Sequence, residues 1–389
     1  MIYLDNAATG GFKPDCVISA ASAALKNSAN PGRSGHKLSL ACLERVYAAR
    51  SVLSNFFDGY GYERVVFTKN CTEALNIAIL GMGVTPSRQQ WESSVGDSGD
   101  APVIITTVAE HNSVLRPLEH LKNQGARVEY VPLGSDGNID LSALDKIVNS
   151  GNGVVKSAVF TLASNVTGTA PNIKHVRAIL PKDCLLICDG AQACGHVSID
   201  MKELGIDALA VAGHKGMLGI HGSGALLFSE RFNPQPLMFG GTGSESYNLN
   251  MPDFYPDRLE SGTLNFPAIV SLAEGAMYLS QHIDEHKALT ESLTKQTVDG
   301  LKCIDGVEIF SKPNPFGIVA FRLINMQSEM AAFALSDEFD ICVRGGLHCA
   351  PLIHNALNSD GLIRASFSPF TPLSAVSALL NAVAVLAKR

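Results

Sequence analysis

The chain has 389 residues, a length that favours two domains. Of these residues 46% are hydrophobic and 17% are charged, which is typical of a folded globular protein. Its formal net charge of −7 argues against nucleic acid as a partner, because no basic surface is available to neutralise phosphates. No apolar run reaches the ~20 residues that span a bilayer, and the first residues do not resemble a signal peptide. We therefore expect no membrane partner and a cytoplasmic location.

Strand-like apolar runs alternate with helical stretches between about residues 14 and 264. The predicted strands lie, in chain order, at residues 65–68, 103–107, 128–131, 157–162, 185–189, near 208 and at 224–228. Helices are predicted at 73–80 and from about 112 onward. This alternation indicates βαβ units and a largely parallel sheet that is covered on both faces.

Beyond about residue 267 the pattern changes to one long helix followed by shorter, mixed elements. The predicted elements are a helix from 270 to about 302, strands at 307–310, 318–321 and 341–344, and a final helix from about 373 to 387. We predict a large α/β domain of residues 14–264 and a small α+β domain formed by 1–13 and 265–389. Within the large domain, the polar segment 85–102 is expected to be a surface excursion.

Nine cysteines are scattered along the chain, and this odd number does not suggest a disulfide framework. Cys184, Cys188 and Cys194 lie close together in the sequence, but their spacing matches no common zinc pattern. Because Cys184 and Cys188 fall in an apolar, strand-like run, we expect both to pack as small hydrophobic core residues.

Two short segments point to the chemistry. Asp189 ends the apolar run at 185–189, and Lys215 follows a second apolar run amid glycines. In an open parallel sheet both strand ends meet at the edge where ligands bind. Pyridoxal 5′-phosphate (PLP) needs an amine for its aldehyde and an acid opposite its ring nitrogen, and a buried lysine is suited to the first role. The plain alternative is two ordinary turns with a surface lysine.

The same edge of the sheet is expected to carry further cofactor contacts. Cys71 and Thr72 lie where a strand gives way to a predicted helix, and the amides and dipole at a helix N-terminus bind phosphate well. A simple helix cap is the alternative for Thr72. Asn165, Gln192 and His214 also fall at this edge.

In their surroundings, these segments resemble the class V aminotransferase-like group of PLP enzymes, and within it the cysteine desulfurases and selenocysteine lyases. The similar motifs extend over almost the whole chain, at residues 3–9, 30–36, 68–76, 110–113, 164–168, 260–263, 344–351 and 363–366. The resemblance implies the PLP-dependent transferase fold type I, with the large mainly parallel-sheet domain and the smaller α+β domain predicted above.

The resemblance also implies roles for individual residues. Lys215 is expected to bind PLP covalently, and Asp189 to face the ring nitrogen. His111 is expected to lie over the ring and to move a proton, since the pKa of histidine is ordinarily near neutrality. Without the resemblance, His111 would be interpreted as a helix-start histidine bonded to the backbone.

Further contacts are implied around the ring and the phosphate. Asn165 and Gln192 are expected to bind the ring oxygen O3′, and Asn165 also the substrate, although either residue alone could simply be a turn residue. His214 is expected to add a charged or polar contact to the phosphate. Thr263 is expected to reach into the phosphate site of a neighbouring subunit, and a homodimer follows from that expectation.

The substrate side of the site is expected near the end of the chain. Arg364 is implied to clamp the substrate carboxylate, for which its planar fork is suited, with Arg344 as a further substrate contact. A surface salt bridge is the alternative for Arg364. Cys349 lies in a loop, where a thiolate is able to move toward the substrate sulfur. Arg344, His348 and His354 are expected to be cationic neighbours that favour the thiolate.

The implied reaction is that of a PLP-dependent cysteine desulfurase. L-Cysteine becomes L-alanine, and the persulfide formed on Cys349 passes to a sulfur-acceptor protein or thiol. Two alternatives stay open, namely a selenocysteine lyase or another class V PLP lyase or aminotransferase, and a non-catalytic binding protein that kept the fold. Two departures from the family pattern, Leu347 in place of a second histidine and Phe370-Thr371-Pro372 in place of Tyr-Asn-Thr, leave the substrate and the acceptor open.

Overall fold

The computed structural model describes residues 1–83, 102–150 and 153–389. Its strands are β1 Ile2–Tyr3, β2 Val65–Thr68, β3 Val103–Thr107, β4 Arg127–Val131, β5 Val155–Thr161, β6 Leu185–Asp189, β7 Ala208–Ala212, β8 Gly224–Phe228, β9 Val307–Ile309, β10 Ile318–Leu323, β11 Ile341–Cys342 and β12 Ile363–Ser366. Its helices are Asp15–Lys26, Lys37–Phe56, Cys71–Leu80, Asn112–Asn123, Leu141–Val148, Ile173–Ile179, Met201–Leu204, Phe266–Leu301, Ser328–Phe339, Pro351–Ala356 and Ser374–Leu386, with a 3₁₀ turn at Tyr62–Arg64.

The central sheet has seven strands in the order β2-β8-β7-β6-β5-β3-β4. Only β8 runs antiparallel to its neighbours, β2 and β7, while the pairs β7-β6, β6-β5, β5-β3 and β3-β4 are parallel. β7 and β8 are buried along their whole length, as continuous apolar strands covered on both faces should be. The predicted α/β domain with a mainly parallel sheet is therefore what the structure contains.

Side chains alternate between two apolar cores, one on each face of this sheet. Along β6, Leu186 and Cys188 belong to one core and Ile187 to the other. Cys184 and Cys188 are fully buried, which confirms the expectation that both are core residues. Cys194 is buried in the same core as Cys188.

A second group of strands lies near the end of the chain. β12, β10 and β9 form an antiparallel sheet in that order, and β1 pairs in parallel with β11. These strands share an apolar core with the last helix, Ser374–Leu386. The predicted division into residues 14–264 and 1–13 with 265–389 stays a proposal. The predicted excursion at 85–102 lies, except for its last residue, outside the described residues.

The long helix starts earlier than the sequence pattern suggested, at Phe266 rather than about Val270. Pro267 lies in its first turn, where a missing N–H is tolerated, and the side chain of Asn265 caps the start by accepting a hydrogen bond from Ala268 N. Conversely, β11 ends at Cys342 and does not extend to Arg344. Across the described residues, no helix is both long and apolar enough to cross a membrane.

Candidate active site

A pocket opens at the carboxyl ends of the parallel strands, the edge at which open parallel sheets bind ligands. It gathers residues from widely separated parts of the chain. Eight of the residues predicted from the sequence line it, namely Cys71, Thr72, His111, Asn165, Asp189, Gln192, His214 and Lys215. The rule that ligands bind beyond the carboxyl ends of parallel strands therefore predicted the position of this pocket.

Asp189 ends β6 and is almost completely buried. Its Oδ1 accepts hydrogen bonds from Ala191 N at 2.9 Å and from Cys71 Sγ at 3.4 Å. Lys215 follows β7, and burial lowers the pKa of its amine, with Arg364 acting in the same direction and Asp189 opposing it. A carboxylate and an amine with a lowered pKa thus share one pocket, as the sequence predicted.

The helix Cys71–Leu80 begins at the pocket because Asn70 caps it, its side chain accepting a hydrogen bond from Glu73 N at 2.9 Å. Thr72 lies in the first turn, and its Oγ1 is 2.8 Å from Ser113 Oγ. The first amides of this helix, the Thr72 hydroxyl and the helix dipole together form an environment that suits an anion.

His214 approaches the same pocket from the end of β7. Its Nδ1 lies 3.0 Å from Thr9 Oγ1, and its carbonyl accepts a hydrogen bond from Lys13 Nζ at 2.9 Å. Burial lowers the pKa of His214 to about 4, with Lys215 acting in the same direction, so the imidazole is neutral at neutral pH. Of the two contacts expected of His214, the polar one fits this environment and the charged one does not.

His111 is the N-cap of the helix Asn112–Asn123, and its Nδ1 accepts a hydrogen bond from Ser113 N at 3.0 Å. Burial lowers its pKa, while the nearby Asp189 carboxylate acts in the opposite direction. The capping contact uses Nδ1, so Nε2 is the ring nitrogen left for a proton transfer. His111 therefore caps a helix and also lines the pocket, so the two interpretations of this residue are compatible.

Arg364 lies in β12 and is 1% exposed. Its Nη2 donates to Asp5 Oδ1 at 2.9 Å, and its Nη1 donates to the carbonyl of Asn165 at 2.9 Å. Its Nε is buried and has no acceptor in the described part of the chain. A buried, unpaired donor on a guanidinium fits the carboxylate of a substrate.

Cys349 is exposed, and Nη2 of the cationic Arg344 lies 3.7 Å from its Sγ. The two expected histidine cations are neutral. Burial, reinforced by Arg364 and Arg344, lowers the pKa of His348 to about 2, and burial also lowers the pKa of His354. The prediction that His348 and His354 are cationic neighbours of Cys349 is therefore wrong, because sequence proximity does not reveal burial.

Hydrogen bonds from other parts of the chain hold the Cys349 loop in place. Cys349 O accepts a hydrogen bond from Asn112 N at 2.7 Å, and His348 O accepts one from Asn165 Nδ2 at 2.7 Å. Upstream, Arg344 and Arg364 exchange backbone hydrogen bonds at 3.2 and 2.8 Å. The loop thereby connects the sheet edge that carries His111 with the strand that carries the buried arginine.

Two predicted contacts have other surroundings in this single chain. Gln192 lines the pocket, but its Nε2 donates to Ala7 O at 3.0 Å. Thr263 is exposed and lines a different cavity, beside Thr68 and Lys69. Just before Thr263, Glu260 forms a buried ion pair with Arg50.

Three residues at or near the pocket were not given roles in the sequence analysis. Asp5 partners Arg364, and Ser113 contacts both Thr72 and His111. Glu110 is fully buried next to His111. All three occur inside motifs that the sequence analysis singled out, so their positions were visible although their contacts were not.

Glu110 has an unusual environment for a carboxyl group. Its Oε1 accepts hydrogen bonds from Thr107 Oγ1 at 2.7 Å and from Thr161 N at 3.0 Å, while Oε2 is buried without a partner in the described residues. Burial raises the pKa of Glu110 to about 8, although both hydrogen bonds act in the opposite direction. Glu110 therefore keeps its proton to a higher pH than an ordinary carboxyl group does.

The sequence profile of the family described as Aminotransferase class-V matches residues 2–379. Because this match spans nearly the whole chain, the protein belongs to the class-V aminotransferase family. A probable cysteine desulfurase of Pyrococcus abyssi is 32% identical, with the alignment covering 100% of this chain and 94% of that protein. A probable cysteine desulfurase 2 of Mycobacterium leprae is 30% identical and covers 98% of this chain and 91% of its own length.

Solved structures of cysteine desulfurases share the fold. The apo enzyme of Thermococcus onnurineus superposes with a TM-score of 0.87 at 29% identity, over 100% of this chain and 94% of that one. The enzyme of Escherichia coli superposes with a TM-score of 0.84 at 26% identity, over 99% and 94%. The expected fold, the PLP-dependent transferase fold type I, is therefore confirmed.

Proposed function

We propose that this protein is a PLP-dependent cysteine desulfurase that converts L-cysteine to L-alanine and receives the sulfur on Cys349. One relationship carries the proposal. Asn165 lines the pocket of Lys215 and Asp189, and it bonds both to Arg364 and to the loop of Cys349. Asn165 therefore connects the pocket proposed for the cofactor, the arginine proposed for the substrate carboxylate and the loop that carries the thiol. The names of the similar proteins support the same reaction, and a cytoplasmic location stays a prediction.

The residues of the pocket fit PLP. Lys215 would hold the cofactor covalently, and Thr72 with the first amides of its helix would hold the phosphate, aided by a polar contact from His214. Asp189 Oδ2 is left without a hydrogen-bond donor among the described residues, and an acid in that state suits the ring nitrogen. When bound, PLP supplies an electron sink that stabilises negative charge on substrate carbon atoms.

The protein's own groups then divide the work. The guanidinium of Arg364, oriented by Asp5 and by the carbonyl of Asn165, would bind the substrate carboxylate and so orient the amino acid. His111 moves protons through Nε2, because Nδ1 is engaged with Ser113. The amine of Lys215, whose pKa burial lowers, would share this role.

The sulfur step belongs to Cys349. Its thiolate attacks the substrate sulfur, so a sulfur–sulfur bond forms while the bond from that sulfur to the substrate carbon breaks. The electron pair of the broken bond stays with the carbon, which takes up a proton and leaves as part of alanine. The substrate carbon is thus reduced, and Cys349 carries a persulfide that an acceptor thiol must remove.

The assembly proposed with this function is a homodimer in which Thr263 completes the phosphate site of the neighbouring subunit. The segment before Thr263 exposes large apolar side chains, including Phe239 at 74%, Tyr247 at 104% and Leu249 at 101% exposure. An apolar surface of this kind favours contact with another copy of the chain. Sedimentation of the PLP-loaded protein tests this, and an active monomer would contradict it.

The function is tested by incubating the PLP-loaded protein with L-cysteine or selenocysteine, with the reductant varied. Equal amounts of alanine and reducible sulfur are expected from cysteine. Mass spectrometry after a brief exposure should find one added sulfur on the peptide that contains Cys349. Selenium release without any alanine from cysteine would instead identify a selenocysteine lyase.

A further inference from the structure

The backbone immediately around Cys349 has an unusual conformation. His348 and Cys349 are consecutive residues with positive φ angles of 52° and 58°, and neither is a glycine. Side chains with a Cβ rarely adopt this left-handed conformation, and such strain persists only where the surroundings over-determine it. Neighbouring contacts must therefore hold the turn.

Three hydrogen bonds, from three different parts of the chain, hold this turn. Asn112 N donates to Cys349 O at 2.7 Å, and Asn165 Nδ2 donates to His348 O at 2.7 Å. The third joins the His348 ring to Leu362 O, with Nε2 at 3.0 Å from that oxygen. Because a carbonyl only accepts, Nε2 must carry the hydrogen.

The His348 ring is placed for support and not for proton transfer. The residue is 2% exposed, and its Nδ1 has no partner among the described residues. Gly346 and Leu362 exchange backbone hydrogen bonds, each at 3.1 Å, directly beside it. The imidazole therefore braces the turn against the segment that leads into Arg364.

We infer that His348 is a positioning residue for Cys349, which it fixes in place together with the side chain of Asn165. This inference rests on the proposed function. The carbonyl of Asn165 also accepts from Arg364 Nη1 at 2.9 Å, so the same residue sets the position of the carboxylate clamp. The hydrogen bonds of His348 and Asn165 thereby set the distance between Arg364, which would bind the substrate, and the backbone of Cys349.

The test compares two variants of similar size, His348→Met and His348→Gln. Both fill the ring's space and carry the same backbone strain, but only glutamine restores a donor toward Leu362 O. Leu347→Ala is the matched control, because Leu347 is the exposed neighbour in the same loop, at 44% exposure. Two substrates separate the steps. L-Cysteine needs the thiol of Cys349, whereas β-chloro-L-alanine loses chloride without a nucleophile.

With L-cysteine, His348→Met should lower kcat about 10- to 100-fold, since an error of about 1 Å in the placement of a reacting group has consequences of that size. Its KM should stay within about twofold of the wild type. Its visible cofactor spectrum and its turnover of β-chloro-L-alanine should also be unchanged. His348→Gln should recover most of the lost kcat, and Leu347→Ala should behave as the wild type.

The possible failures are distinguishable. Wild-type protein that forms no persulfide from cysteine overturns the proposed function. If the wild type is active and His348→Met keeps normal kcat with cysteine, the positioning role is wrong although the function stands. Equal loss with both substrates, together with an altered cofactor spectrum, would assign His348 a general structural role and also overturn the inference.

Discussion

Arg364 and Asp5 form an ion pair between the two ends of the chain, with Nη2 and Oδ1 2.9 Å apart. The arginine is almost completely buried, whereas the side chain of Asp5 is 23% exposed. The pairing is possible because β12 pairs with β10 and also receives Asp5 in a bridge to Ser366. Asp5 leaves Nε of the arginine free, so the guanidinium is oriented and still has a donor to offer.

Replacing Arg364 by lysine should raise the KM for L-cysteine about 30-fold. A lysine ammonium lacks the second donor of the fork, and a hydrogen bond to a charged group contributes about 2 kcal/mol. Steady-state kinetics measure this change. The cofactor absorbance should not differ from the wild type, and an unchanged KM would show that the substrate carboxylate binds elsewhere.

Replacing Lys215 by alanine should give a folded protein that no longer forms a covalent bond with PLP. Lys215 is the lysine that lines the pocket beside Asp189. Borohydride reduction followed by peptide mapping should find the cofactor on Lys215 in the wild type. A reducible adduct on a different lysine of the variant would refute the assignment. Lys13→Ala serves as control, because Lys13 Nζ donates to the carbonyl of His214 instead.

Replacing Cys349 by alanine should abolish nearly all sulfur release from cysteine, while PLP and cysteine still bind. Cys71 and Cys194 should not replace Cys349, because burial raises the pKa of both thiols. Cys71 Sγ also donates to Asp189, and Cys194 is buried in the core. Alanine formation and labelling of the peptide are the measurements. Cys342→Ala is the control and should keep normal activity, and labelled sulfur on Cys71 or Cys194 would contradict the assignment.

The contribution of Glu110 to stability should fall as pH rises between about 5 and 8. Burial raises its pKa to about 8 from an ordinary 4.5, so in this window the folded protein holds a proton that the unfolded chain has released. Each pH unit should then lower the contribution of Glu110 to the free energy of unfolding by up to about 1.4 kcal/mol. Below about pH 4.5 both states bind the proton, and the effect disappears.

Glu110→Gln tests this dependence, because an amide resembles the protonated carboxyl and does not ionise. Urea unfolding at several pH values should show that the difference in stability between Glu110→Gln and wild type changes with pH, in favour of the variant toward pH 8. The exposed Glu44→Gln serves as control and should leave the dependence as it is in the wild type. Parallel curves for Glu110→Gln and wild type would mean that Glu110 is ionised in the folded protein.

Much of the pocket was predictable because parallel strands bring their carboxyl ends to one edge. Asp189 ends a strand of the central sheet, Lys215 and Asn165 each follow one, and that regularity places them together. Local sequence could not show that His348 is neutral, since its burial depends on packing between distant segments. The ion pair of Asp5 with Arg364 was invisible for the same reason, as it needs the segment after the first strand to meet the last strand.

The helix Phe266–Leu301 has a consequence for how the molecule melts. Its first turns, including Phe266 and Leu279, pack into one of the two cores of the central sheet, the core that contains Cys188. Leu293 and Leu301 belong to the core of the smaller sheet. A continuous rod of 36 residues, about 54 Å long, therefore carries side chains of both cores. Unfolding of either core would expose the apolar side chains of one half of the helix and would destabilise the other half. Heating should accordingly give a single calorimetric peak, with the two cores melting as one cooperative unit.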